Sequence, residues 1–151
     1  YIMPDTMKKI SILCFITTAL FAQTPFILEK FSTAHIVVKT HNNKIFNEYK
    51  KTVYTLLHEY ASDLNISVTN TSLRVLGIDM NLRKIAKNIS IVELELFIHE
   101  PAIRLDDKQE IFSIVYQNRF TFVVKDIEED IEDNTIALLE ELSTQYEEDN
   151  E

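Results

Sequence analysis

The 151-residue chain contains one cysteine, one glycine and three prolines. A lone cysteine can neither close an intrachain disulfide nor assemble a thiolate zinc site. A single glycine leaves no glycine-rich phosphate loop and argues against a barrel or sandwich with many tight turns. Positive charge is also scarce. The net charge is -9 and the pI is near 4.9, so the chain repels phosphate backbones and nucleic acid is not an expected partner.

The cysteine sits in the segment with the strongest local signal. Met7-Lys8-Lys9 is a short basic start, and Ile10 to Ala22 (ISILCFITTALFA) then runs without charge. A basic n-region followed by an apolar run of about 7–15 residues is the pattern of a secretory signal peptide. Residues 1–22 are therefore expected to be an export signal cut near Ala22, with residues 1–6 upstream of the true start at Met7. The run is too interrupted, by Gln23, Pro25 and several threonines, to serve as a membrane span of about 20 apolar residues. Cys14 lacks the small preceding residue that lipidation requires, since Ser11-Ile12-Leu13 stands before it. Cleavage leaves a cysteine-free mature chain, which suits an oxidising compartment. The expected address is the periplasm or exterior of a bacterium, with no membrane attachment after cleavage.

Residues 23–151 read as a single α+β domain with no linker to divide it. Ala34 to Lys39 is β-branched and reads as a strand. His41-Asn42-Asn43 follows as turn and helix cap. From Lys44 to Leu64, the residues Ile45, Phe46, Tyr49, Val53, Leu56, Leu57, Tyr60 and Leu64 fall within an arc of about 120°. That stripe predicts a long amphipathic helix lying on a sheet face. Ile66–Thr69 and Leu73–Ile78 read as strands, with Gly77 at a bulge or close approach. Asn81 is expected to cap a short helix through Lys87. Ser90 to His99 alternates with period two, Val92, Leu94, Leu96 and Ile98 facing one way. Glu100 to Glu110 reads as a polar connection. Ile111–Tyr116 and Phe120–Lys125 read as a covered or central hairpin about Gln117-Asn118-Arg119.

Residues 126–151 carry twelve acidic groups and no Lys or Arg, whereas the rest of the chain is nearly balanced. Ile131, Leu138, Leu139, Leu142 and Tyr146 still share a helical face, so this is an acidic amphipathic helix. The expected fold is a two-layer α+β sandwich: a mixed sheet of about five strands, the long helix on one face, and the acidic helix at an edge or on the same face.

Candidate chemistry is sparse. Glu128, Glu129, Asp130, Glu132 and Asp133 could meet a basic protein partner, but they lack the Gly-turned loop and ligand spacing of a calcium site. His58-Glu59 lacks a second histidine one turn on, where Ser62 stands, so it cannot hold zinc. No metal or cofactor is expected. Tyr54 and His58 share the polar face of the long helix and could form a contact site. His99, Glu100 and Arg104 place base, acid and cation close together in sequence and are the candidate catalytic set. Asp63-Leu64-Asn65-Ile66-Ser67 resembles the extended acceptor of bacterial N-glycosylation, which marks Asn65 for modification. The leading expectation is a small, exported, non-catalytic binding or accessory protein. The alternatives are a small hydrolase or ligand-modifying enzyme using His99, Glu100 and Arg104, and a hydrophobic-ligand carrier.

Overall fold

A computed structural model describes residues 28–41 and 46–151. The expected export signal and the Asn42-Asn43 cap lie outside the described residues. The elements are β1 (Thr33–Thr40), α1 (Phe46–Asp63), β2 (Ser67–Val68), β3 (Val75–Ala86), β4 (Ile89–Ile103), β5 (Glu110–Val123) and α2 (Ile127–Asn150). The sheet order is β2-β1-β3-β4-β5. β1 runs parallel to β2 and β3, and the β3–β4 and β4–β5 pairs are antiparallel. Both helices pack on one face, giving the mixed two-layer α+β sandwich that the sequence pattern implies.

Alternation within the strands builds the helix-facing layer. Ala34 and Ile36 of β1, Leu76, Ile78 and Met80 of β3, and Val92, Leu94, Leu96 and Ile98 of β4 are all buried there. They meet Val53, Leu57 and Ala61 of α1 and Ile131, Leu138, Leu139 and Leu142 of α2. Burying a side chain of this size contributes about 1.5–3 kcal/mol, so this layer is the main source of stability. α1 ends without a glycine. Asn65 takes the left-handed conformation (φ 57). Its amide donates to the Ser62 carbonyl at 3.0 Å, and the Ile66 amide donates to the Ala61 carbonyl at 2.8 Å. That pair of bonds is a Schellman terminus, with asparagine in the place that glycine usually fills.

α2 is fixed at both ends. Asp126 caps it, accepting from the Glu128 and Glu129 amides. Asp130 reaches back to accept from the Lys125 and Asp126 amides at 2.7 and 3.0 Å. At the far end the buried Asp149 accepts from the Leu28 amide at 2.9 Å and from Gln145 Nε2 at 2.6 Å. Asn150 accepts from the Lys30 amide and donates to the Leu28 carbonyl. The last turn of α2 thus clasps the segment that leads into β1.

Three local expectations are corrected. Asn81 to Ala86 is strand, not helix: Leu82 continues the inward alternation of Ile78 and Met80, and Arg83 on the other face binds Glu93 of β4. Pairing with β4 outweighs the helix propensity of a short Arg-Lys-Ile-Ala run. Gln117-Asn118-Arg119 is not a turn, and β5 is one continuous strand that, among the described residues, lies at the sheet edge and is neither central nor covered on both faces. The polar side chains find partners in place, Asn118 donating to Glu141 of α2 and Arg119 to Glu95 of β4. The supposed connection from Glu100 is strand as far as Ile103. Pro101 is tolerated because β3 begins at Val75, opposite His99, so beyond that point the β3 side of β4 requires no amide donor.

Candidate functional site

The face of the sheet turned away from the helices has no covering layer among the described residues. Cross-strand partners share a face, so its side chains form rows. His35, Val75, His99 and Ile114 stand in one row across β1, β3, β4 and β5; Val37, Gly77, Phe97 and Gln117 stand in the next; Lys39, Asp79, Glu95 and Arg119 in a third. The rows divide the face into an ionic half and an apolar half.

In the ionic half, Arg119 binds Glu95 and lies 3.7 Å from Glu93, which also accepts from Arg83 at 2.9 Å. Burial pushes the Glu95 carboxyl up, but the bonds from Arg119 and Gln117 outweigh it and hold the group below its usual range. His41 Nε2 lies 2.8 Å from Asp79 Oδ2. Every acid here faces a base, although Asp79 Oδ1 is buried without a hydrogen-bond partner among the described residues.

Between the halves lies an aromatic step. Phe97 is only 3% exposed although it is on the open face. Its ring is laid across Gly77: a Cβ there would overlap the ring and come within 2.9 Å of the Val37 carbonyl oxygen. This close approach is the reason for the chain's single glycine at this position. The Lys39 ammonium sits 4.9 Å from the centre of the Phe97 ring, and the His99 ring packs against it at 4.6 Å. Burial, together with the Lys39 charge, lowers the His99 pKa below the ordinary imidazole value, with Glu95 opposing.

The apolar half is the arm of the β4–β5 hairpin beyond His99. A bulge at Ile98/His99 re-aims β5, leaving Ile114 opposite His99, Phe112 opposite Pro101 and Glu110 opposite Ile103. On or next to this face, Ile103 is 61% exposed, Leu105 79%, Phe112 63% and Ile114 54%. Scattered exposed apolar residues are ordinary, but a contiguous group on a rigid hairpin marks a contact surface. The tip is held rigid. Arg104 forks onto Asp107 and also donates to Gln109, and the Arg104 amide donates to the Gln109 carbonyl at 2.9 Å.

The candidate catalytic set is not brought together. His99 faces the open side against Phe97. Glu100 is 3.1 Å from Arg74, which in turn donates to the Lys30 carbonyl. Arg104 is committed to the tip turn, and its pKa is raised by the Asp107 bond. His35 and His99 share a row on strands separated by β3, and no group of three metal-ligating side chains forms around them among the described residues. Tyr54 and His58 do meet on the exposed side of α1, their ring centres 6.5 Å apart. His58 and Asn65 line a surface concavity of about 470 Å³ with Ser62, Ile66, Ser67 and Val68. Asn65 itself is exposed.

The five acidic candidates diverge around α2. Asp130 is absorbed into the cap, and Glu132 lines a surface concavity with Lys51 and Glu59 of α1. Glu128, Glu129 and Asp133 are exposed. Among the described residues no group of His, Cys, Asp and Glu is placed to hold a metal ion. Among the same residues no helix is long and apolar enough to cross a membrane.

The hairpin arm is the site that sequence reasoning missed. Its signal was present, because apolar residues at Ile111, Phe112 and Ile114 occupy both faces of a strand. That pattern reads equally as a buried strand, and only the position of β5 at the sheet edge decides between the two.

No family model matches the sequence, and no curated protein matches it. One solved structure similar to it is a Helicobacter pylori protein described as a neuraminyllactose-binding hemagglutinin homolog. The identity is 14%, the TM-score is 0.41, and the match covers 80% of this chain and 90% of the other. At this identity the likeness extends to neither ligand nor site residues.

Proposed function

We propose that this is an exported, non-catalytic binding or accessory protein that docks a protein partner on the β4–β5 side of its sheet. The observation that carries the reading is the exposed apolar arm of Ile103, Leu105, Phe112 and Ile114 on a rigid, ion-paired hairpin. Burying such side chains contributes about 1.5–3 kcal/mol each, enough for a few of them to anchor a complex. The acidic α2 lies along the other flank of the same edge strand, where Glu141 accepts from Asn118, which favours a basic partner. Catalysis is the weaker reading because His99, Glu100 and Arg104 engage three separate partners. Ligand carriage is also weaker, since the layer between helices and sheet is filled by Leu57, Leu76, Ile78, Leu94, Leu96, Ile98 and Leu138.

The test has two parts. Fractionation of the native host, with N-terminal sequencing, should find the chain outside the cytoplasm and starting near Gln23. A cytoplasmic chain still carrying Ile10 to Ala22 sinks the export reading. Cross-linking in the native envelope should then give a defined adduct that Phe112→Ser/Ile114→Ser abolishes while the melting temperature holds. Equal adduct yield from the variant sinks the docking reading.

A further inference from the structure

The outer edge of β5 combines features that specify what it would bind. In an antiparallel ladder, residues alternate between those that bond to the neighbouring strand and those whose amide and carbonyl point away from it. The Val124 amide donates to the Ser90 carbonyl, which sets the phase for the regular stretch. Gln117, Arg119, Thr121 and Val123 therefore turn their backbone groups outward, although the Arg119 amide is already taken by Asn118 Oδ1 at 2.8 Å. The Arg104–Gln109 bond sets the phase of the arm in the same way, so Glu110, Phe112 and Ile114 also turn outward. No described strand lies beyond β5. Each outward-turned residue also has its side chain on the open face, so backbone hooks and exposed apolar groups belong to the same positions.

The two flanks of this edge differ in charge. On the helix side, Glu141 accepts from Asn118, which brings α2 down along β5. The Tyr116 hydroxyl beside it has its pKa raised, by burial first and by Glu141 in addition. Asp133 and Glu148 fall on the same flank of α2 at i±7 and i±8 spacing, and all three carboxylates are exposed. On the open-face side the edge shows Phe112, Ile114 and Val123, and its one base, Arg119, is committed to Glu95. A strand added to this edge would alternate between the two flanks.

We propose that β5 receives, by strand addition, an extended segment of another polypeptide in which apolar residues alternate with Lys or Arg. The inference rests on the docking reading above and specifies its geometry and partner chemistry. Main-chain bonds to the outward groups supply the register, the apolar residues lie beside Phe112, Ile114 and Val123, and the bases meet the α2 flank. A second copy of this chain is a poor occupant. Pairing β5 with β5 would set two acidic helices side by side, and the like charges would repel.

The probe is an end-capped peptide of about twelve residues alternating Lys with Val and Thr. Its control has the same charge but is N-methylated at alternate residues. Binding is read by fluorescence anisotropy on the full chain, and amide exchange is followed at Gln117, Thr121 and Val123. The expected result is saturable binding that slows exchange at those amides and is lost with the methylated peptide. Thr121→Pro removes an outward donor and leaves the β4 ladder intact, so it should weaken binding about tenfold. Asp133→Asn/Glu141→Gln should weaken binding and flatten its salt dependence. If the methylated peptide and Thr121→Pro bind within about twofold of the parents, strand addition is overturned. If Phe112→Ser/Ile114→Ser still abolishes binding in that case, the docking reading stands without it. No saturable binding to any form overturns the proposal outright. A concentration-dependent dimer in sedimentation that Thr121→Pro abolishes would assign the edge to a second copy and overturn the heterologous partner.

Discussion

The two ends of the β4–β5 hairpin have nearly the same sequence character and opposite surroundings. From Val92 to Ile98, every second residue of β4 is buried under the helices. Beyond His99 the same hairpin continues with Ile103, Ile111, Phe112 and Ile114, all exposed. The two strands stay paired through Ile103 and Glu110, with the register shifted by one residue at the Ile98/His99 bulge. What changes is the neighbourhood: β3 starts opposite His99, so the arm has lost its third strand. Alternation thus makes a strand, and a second layer makes a core.

Truncation should separate the two ends sharply. Leu94→Ala empties a fully buried site between β4 and the helices, and should cost about 2–5 kcal/mol in urea unfolding. A loss below about 1 kcal/mol would mean that the layer collapses around the gap and that the body of the hairpin is no tighter than its arm.

That contrast also explains how far the sequence could be read. The α1 stripe of Tyr49, Val53, Leu57 and Tyr60 and the alternation in β4 are local patterns, and both elements formed as their periods imply. So did the acidic helix with Ile131, Leu138 and Leu142 inward. Gln117-Asn118-Arg119 misled because its polar side chains resemble a turn until Glu141 and Glu95 are seen to receive them. The arm was hidden for the converse reason, because apolar residues on both faces of a strand are the mark of burial in most sheets. The His99, Glu100 and Arg104 set looked compact along the chain, but adjacent residues in a strand project to opposite faces.

A second prediction concerns a contact that no local pattern announces. Asp149 and Leu28 are 121 positions apart, and the carboxylate is buried. Asp149→Ala removes a charge-assisted bond and leaves the Leu28 amide without its acceptor, a loss of about 1.5–3 kcal/mol. Asp149→Asn keeps an acceptor and should lose less. Equal, negligible effects of both in thermal melts would show that the clasp adds nothing to the docking of α2.

The junction between body and arm should respond to pH. The folded-state pKa of His99 lies below its unfolded value because burial and Lys39 disfavour the imidazolium. Between the two values the unfolded chain binds more protons, so stability rises with pH in that window. The contribution is complete above the ordinary imidazole value of about 6.5 and is lost as pH falls through it. The Glu95 carboxyl, held below its usual range, loses its contribution only at lower pH, as its folded value is passed. Acidification from about pH 7 to about pH 5 should therefore lower the melting temperature more in the parent than in His99→Gln. Identical pH slopes would remove His99 from the account.

The smallest expected change in stability is at the arm, and it is the one that matters most for function. Phe112 stands opposite Pro101 at 63% exposure, with the hairpin's own cross-strand pairing beneath it. Its removal opens no cavity and strands no polar group, so none of the usual routes to a large loss applies. Phe112→Ser should shift unfolding by no more than about 0.5 kcal/mol, roughly a tenth of the upper bound for Leu94→Ala. The same substitution should weaken partner binding by about tenfold or more if this ring is an anchor, since a buried aromatic is worth that much at an interface. Loss of binding with stability intact makes the arm an interaction surface in its own right. Loss of stability comparable to Leu94→Ala would mean that the ring is covered in the full protein, and the difference between the two ends of the hairpin would disappear.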